Sequence, residues 1–184
     1  DGPVLGSASG TDGSLVLVGQ FAFWDLVSRD GVVRLSTNGV LDVSFASSLT
    51  LGGVPRAVAI DQNENPLRAA NVGKSVIVGT FTSPANRVLR LNTDGTIDGG
   101  FAVGSGPNGP VNAVAVQADG SVVIGGAFTS VAGNLRLNIA RLDHSGSIDT
   151  SFNPGTGANA EVLAIHVQSD GKIVIGGAFT EYNG

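Results

Sequence analysis

The chain has 184 residues, 42% of them hydrophobic, enough for a real core and too many for a disordered polymer. Its net charge of −5 leaves no basic surface for nucleic acid or an anionic bilayer, and the absence of Cys removes disulfides, thiolate metal sites and a cysteine nucleophile. No run approaches the ~18 apolar residues of a membrane span, so neither nucleic-acid binding nor membrane insertion is expected. Gly accounts for 28 residues, about twice the usual share, which points to many short strands joined by tight turns. With no Met, Asp1 is not a translation start, and the chain is expected to be a processed product or part of something longer.

In chain order, residues 1–4 read DGPV and return as NGPV at 108–111. Residues 12–21 (DGSLVLVGQF) form a first segment and 33–45 (VRLSTNGVLDVSF) a second. The pair recurs at 74–81 (KSVIVGTF) with 89–101 (LRLNTDGTIDGGF), and again at 111–128 (VNAVAVQADGSVVIGGAF) with 140–152 (ARLDHSGSIDTSF). A last first segment, 162–179 (VLAIHVQSDGKIVIGGAF), follows its predecessor at an offset of 51. Phe21, Phe81, Phe128 and Phe179 close the first segments, and Phe45, Phe101 and Phe152 the second, so seven of the eight Phe obey the period and Phe23 alone does not. The uneven spacings 60, 47 and 51 reflect an insertion of 9 residues near 62–72 and a loss of 4 near 83–86.

Each repeat reads as four strands. The first, at 111–117, ends at Asp119-Gly120, a hairpin signal. The second is apolar almost throughout (Val122, Val123, Ile124), as expected of a strand buried on both faces between stacked sheets. A third carries Arg141-Leu142, and Ser145-Gly146 turns into a short fourth ending at Phe152. Four-stranded units of this length fit β-propeller blades, which run from ~40 to ~50 residues. The expected fold is therefore all-β: about three and a half four-stranded antiparallel blades, as one array of repeats at 1–44, 45–100, 101–151 and a partial 152–184, forming part of a larger propeller. Further repeats or another protein chain are the expected partners, because open blade faces are apolar.

The pattern V-x-A-x-x-x-Q-x-D-G-K-I-x-x-G-G-x-F at 162–179, with A-R-L-x-x-x-G-x-x-D-x-S-F-N-P-G-x-G at 140–157, resembles the delta-60 repeat of bacterial proteins. The resemblance implies a propeller-like architecture in large secreted or surface-attached bacterial proteins, hence an extracellular or cell-surface location, and it brings no catalytic residues.

A residue repeated in every unit belongs to the scaffold, whereas function is expected where the repeat is broken. Arg34, Arg90 and Arg141 recur eight residues before Asp42, Asp98 and Asp149, as a between-blade ion pair or an Asp fixing turn amides would require. Asn92, Asp94 and Asp98 resemble a calcium loop, but their counterparts carry fewer carboxylates and a Gly-containing turn is the better account. His166 replaces Ala8, Ala59 and Ala115 and reads as a hydrogen-bonded structural residue, a ligand-cavity wall or a subunit contact. Phe23, Trp24 and Asp25 form the strongest deviation: an aromatic platform with a carboxylate suits a sugar or a protein hot spot, and the plainer reading is a cap on the first blade. No nucleophile, zinc or phosphate-loop motif appears. The sequence thus predicts a non-catalytic structural, adhesive or protein-interaction module without a cofactor. A glycan-binding module using Phe23, Trp24 and Asp25 is one alternative, and a hydrolase with carboxylates at the propeller mouth another.

Overall fold

The computed structural model describes residues 1–62 and 70–183, so most of the insertion in the second repeat, 63–69, lies outside the described residues. The first repeat runs β1 (Val4–Ser9), β2 (Leu15–Gly19), β3 (Phe23–Trp24), β4 (Val27–Ser28) and β5 (Val32–Leu35). The second holds β6 (Pro55–Ile60), β7 (Ser75–Gly79) and β8 (Val88–Leu91). The third holds β9 (Val111–Val116), β10 (Val122–Gly126), β11 (Ser130–Val131), β12 (Asn134–Leu135) and β13 (Ile139–Leu142), and the fourth β14 (Val162–Val167) and β15 (Ile173–Gly177). The blades are the antiparallel sheets β1-β2-β5, β6-β7-β8, β9-β10-β13 and β14-β15, while β3-β4 and β11-β12 are separate small hairpins. The fourth strand of each full blade is reduced to a single bridging pair: Leu35 with Leu41, Leu91 with Ile97, and Leu142 with Ile148. Among the described residues no helix is long and apolar enough to cross a membrane.

The Asp-Gly turns are not two-residue hairpin loops. Gly120 N–H donates to the Gln117 carbonyl and Gln117 N–H to the Ser121 carbonyl, enclosing three residues with Gly120 at φ 76°. Only the last loop position needs a left-handed backbone, so Gly is required there while Asp119 is free to accept from Ser121 N–H at 2.8 Å. True mirror-image turns, with positive φ at both central residues, occur instead at Asp25-Leu26 and Ala132-Gly133.

The first strands β1, β6, β9 and β14 lie side by side, and the blades stack face to face. Between blades one and two, Val16, Val18 and Val32 meet Ile77, Phe81 and Leu89, with Phe45 and Leu51 of the connector. Between blades two and three, Val76, Val78 and Val88 meet Val122, Ile124 and Phe128, with Phe101 and Val103. Phe45, Phe81, Phe101 and Phe128 are thus inter-blade wedges, each contributing about 1.5–3 kcal/mol on burial. Gly125 is demanded by the third interface: a Cβ there would lie 2.6 Å from Val162 Cγ1 and 2.9 Å from Ile165 Cδ1 of the next blade. At the free end of the stack the matching Gly176 meets nothing closer than Ala164 Cβ at 3.9 Å.

Candidate functional site

The recurrent charges form a joint that repeats along the stack. Arg34, Arg90 and Arg141 pair with Asp42, Asp98 and Asp149 of their own repeats, at 2.6 Å for Arg90 and 2.8 Å for Arg141. The ion pair is therefore within a blade rather than between blades. The strand that carries the Arg turns back at once through the bridging pair, so the Asp eight residues on lands beside it. What crosses to the next blade is a second arm: Arg34 Nη1 donates to the Thr93 carbonyl, and Arg90 Nη1 to the His144 carbonyl at 2.9 Å. The guanidinium also lies over the Phe closing its own second segment, 4.4 Å from the Phe45 centroid, 4.5 Å from Phe101 and 5.0 Å from Phe152. Each Asp additionally accepts amides of the following turn, such as Ser44 and Phe45 on Asp42 and Ser151 on Asp149. The Ser44 and Arg34 bonds hold the Asp42 carboxyl far below the usual range. The Ser151 hydroxyl, ahead of Arg141, lowers the Asp149 carboxyl. For Asp98 burial pushes upward, but Lys74 and Arg90 together outweigh it and the carboxyl is held low.

In the loop resembling a calcium site, the three side chains have other occupations. Asp94 accepts from the Thr96 amide and hydroxyl, Asn92 Nδ2 donates to Thr96 Oγ1, and Asp98 Oδ2 receives Arg90 and Lys74. Among the described residues no group of three or more His, Asp or Glu is placed to hold a metal ion. The turn carboxylates Asp12, Asp143 and Asp170 likewise accept from their own turns.

Phe23, Trp24 and Asp25 lie on the β3–β4 hairpin, in which Phe23 pairs with Ser28 and Trp24 with Val27. Neighbouring strand residues point to opposite faces. Trp24 accordingly turns onto Phe21, edge to face at a centroid distance of 5.4 Å, while Phe23 stays 51% exposed and Leu26 at the tip 95% exposed. The three residues are thus not one platform. The hairpin is also not unique to the first repeat: β11–β12 occupies the same place, and Trp24 stands where Val131 is buried between blades two and three. Trp24, with Leu15, Leu35 and Leu41, packs against Leu17, Phe21 and Val33 on the outer face of the first blade.

The His166 backbone pairs in register with Val174, and its side chain is exposed with no hydrogen-bond partner among the described residues. The hydrogen-bonded reading of His166 is corrected: its Ala counterparts face the following blade, and at the end of the stack that position opens to solvent. His144 is likewise exposed, contributing its carbonyl to Arg90. Of the insertion, Gln62 donates to the Ser9 carbonyl, while 63–69 lie outside the described residues.

At the base of the β3–β4 hairpin a cavity of about 340 Å³ is lined by Ser28, Arg29, Asp30, Ser47, Ser48 and Thr50, among others. Arg29 is 5% exposed, donates to the Ser28 carbonyl at 2.9 Å and the Val43 carbonyl at 2.7 Å, and leaves its buried Nε without a partner. No carboxylate of the described residues pairs with it, in contrast to Arg34, Arg90 and Arg141. Arg136 shares its position, which hides it among scaffold residues; the available signal was the connector 46–50 (ASSLT), which lacks the Gly of the later connectors.

Several comparisons bear on this architecture. The crystal structure of the WD40 beta propeller domain of Doa1 superposes with a TM-score of 0.56 at 12% identity, covering 95% of this chain and 46% of that one. At that identity the likeness concerns the fold alone, and the chain spans less than half of the structure it matches. No curated protein matches the sequence. The model of the family described as "Domain of unknown function (DUF5122) beta-propeller" matches residues 10–45, 73–101, 117–152 and 168–184. Each match spans the end of a first segment or a whole hairpin-to-Phe unit, and together they take in more than half of the chain, which belongs to this β-propeller family.

Proposed function

We propose that this chain is a non-catalytic interaction module of a secreted or cell-surface bacterial protein, of the delta-60 repeat kind, that works by docking blade against blade with further repeats or another chain. The observation that carries the reading is the free face of the fourth blade. It repeats the surface that is buried at the three internal interfaces, with Gly176 in the place of Gly125 and with Leu163 and Val174 about half exposed. Apolar surface of this kind is stabilised by cover. Light scattering on the 184-residue chain tests it: association, or capture of added repeats, is expected, and a well-behaved monomer that ignores added repeats counts against it.

A glycan-binding reading is favoured by one observation, the exposure of the Phe23 ring on a hairpin that also carries the exposed Asp25. Sugar rings stack on such surfaces. In a glycan array Phe23→Ala should remove the signal, and Trp24→Ala should do so only by disturbing the hairpin. An array without any signal removes this reading.

A further inference from the structure

We infer that the cavity beneath the β3–β4 hairpin binds a carboxylate-bearing sugar of the uronic-acid class, drawn by the buried charge of Arg29 and oriented by the hydroxyls around it. A guanidinium removed from water needs a counter-charge or full hydrogen bonding, and Arg29 has neither: two backbone carbonyls accept from it and Nε bonds to nothing. Its field is therefore favourable for an anion brought into the adjoining cavity. Since Nε is shut away from that space, the ligand is held by the charge as a whole and not by a bond to that nitrogen.

The lining specifies more than an anion. The hydroxyls of Ser28, Ser47, Ser48 and Thr50 make no hydrogen bonds among the described residues, so four donor–acceptor groups face one space. Asp30, whose Oδ2 accepts from the Leu51 amide, adds a carboxylate beside them. A bare oxyanion has no hydroxyl to donate to Asp30 and could not use the acceptor side of the hydroxyls. A molecule carrying one carboxylate and several hydroxyls satisfies all of these groups. Its size is also suitable, since small-molecule sites begin at about 300 Å³.

The third repeat is an internal control. Arg136 also leaves Nε unpartnered, but Leu137 stands where Asp30 does and the connector there reads NPGTG. The chemistry is thus confined to the place where the repeat departs from its pattern. The inference does not rest on the Phe23 tip as a glycan platform, because the two respond to different variants.

Titration of the 184-residue chain with glucuronate, glucose and sodium sulfate, followed by amide shifts of residues 46–51, tests the site. Saturable shifts with glucuronate are expected, at least about tenfold weaker with glucose or sulfate. Arg29→Gln should abolish them, Arg136→Gln should not, and Asp30→Asn, which keeps the acceptor for Leu51, should change glucuronate affinity while leaving the fold intact. Equal responses to sulfate and glucuronate would show non-selective attraction to charge and overturn the proposal. So would absence of saturation in the folded wild-type chain, or glucuronate shifts that survive Arg29→Gln unchanged. If Arg29→Gln unfolds, affinity unchanged in both Asp30→Asn and Ser47→Ala decides against it.

Discussion

The two ends of the blade stack begin from the same sequence pattern and finish differently. On the first blade the outer face carries Leu17, Phe21 and Val33, all buried, because Trp24 folds over Phe21 and Leu15, Leu35 and Leu41 close around them. On the fourth blade the outer face carries Val174, Gly176 and His166 with no such cover. Trp24 takes the place of Val131, a side chain that an adjacent blade buries, and its larger ring does part of the neighbour's work. The lesson is that burial in a repeat array belongs to the interface and not to the repeat: one residue in a hairpin can change an end face from sticky to self-covered.

The comparison can be broken or sharpened by substitution, beginning with the interior standard. Phe81→Ala, emptying a fully buried wedge between blades one and two, should cost about 3–5 kcal/mol in denaturant unfolding, whereas Phe179→Ala on the half-buried fourth blade should cost clearly less. Equal losses would mean that the last blade is packed as firmly as the inner ones. Gly125→Ala should cost about 1–3 kcal/mol by overpacking against Val162, while Gly176→Ala should be close to neutral. Should both prove neutral, the close approach at the third interface is not what demands glycine. Trp24→Ala should cost about 1–2 kcal/mol, since the ring is only partly buried, and should increase self-association by uncovering Phe21.

The smallest effect per group is electrostatic and belongs to the first three blades, which carry the Arg–Asp pairs. Asp42, Asp98 and Asp149 are held below the usual carboxylate value of about 3.9 in the folded chain. A depressed carboxyl stabilises the fold fully above its unfolded value and loses that contribution as pH falls through the folded one. Thermal midpoints should therefore stay level from neutral pH down to about 5 and drop progressively below about 4. Asp98→Asn, with two cations on its carboxylate, should reduce that acid slope more than Asp149→Asn; the reverse order would place the stronger coupling in the third blade.

Much of this architecture was legible in the residues. The Phe register, the continuous apolar second strands and the Arg–Asp spacing all follow from periods of the backbone, so they announced blades and their joints before any coordinate. The hairpin at Phe23-Trp24 was legible only as a deviation. Its turn at Asp25-Leu26 has positive φ at both positions without the Asn-Gly signal such turns usually carry, and the equivalent Ala132-Gly133 is as well hidden. The uncompensated charge of Arg29 was not legible at all, since whether an Arg has a carboxylate beside it depends on residues brought close by folding.

The amino-acid sequence by itself determined the repeat, the strand order within each blade and the residues that must nest between blades, because these depend on side-chain alternation and local turns. Only the tertiary structure decided which apolar faces are covered, that the Arg–Asp pair closes within a blade while another arm of the same guanidinium reaches across, and that Arg29 stands beside a hydroxyl-lined cavity. The physical reason is range: pattern acts over a few residues, whereas desolvation and charge compensation are set by whatever the fold places within a few ångströms.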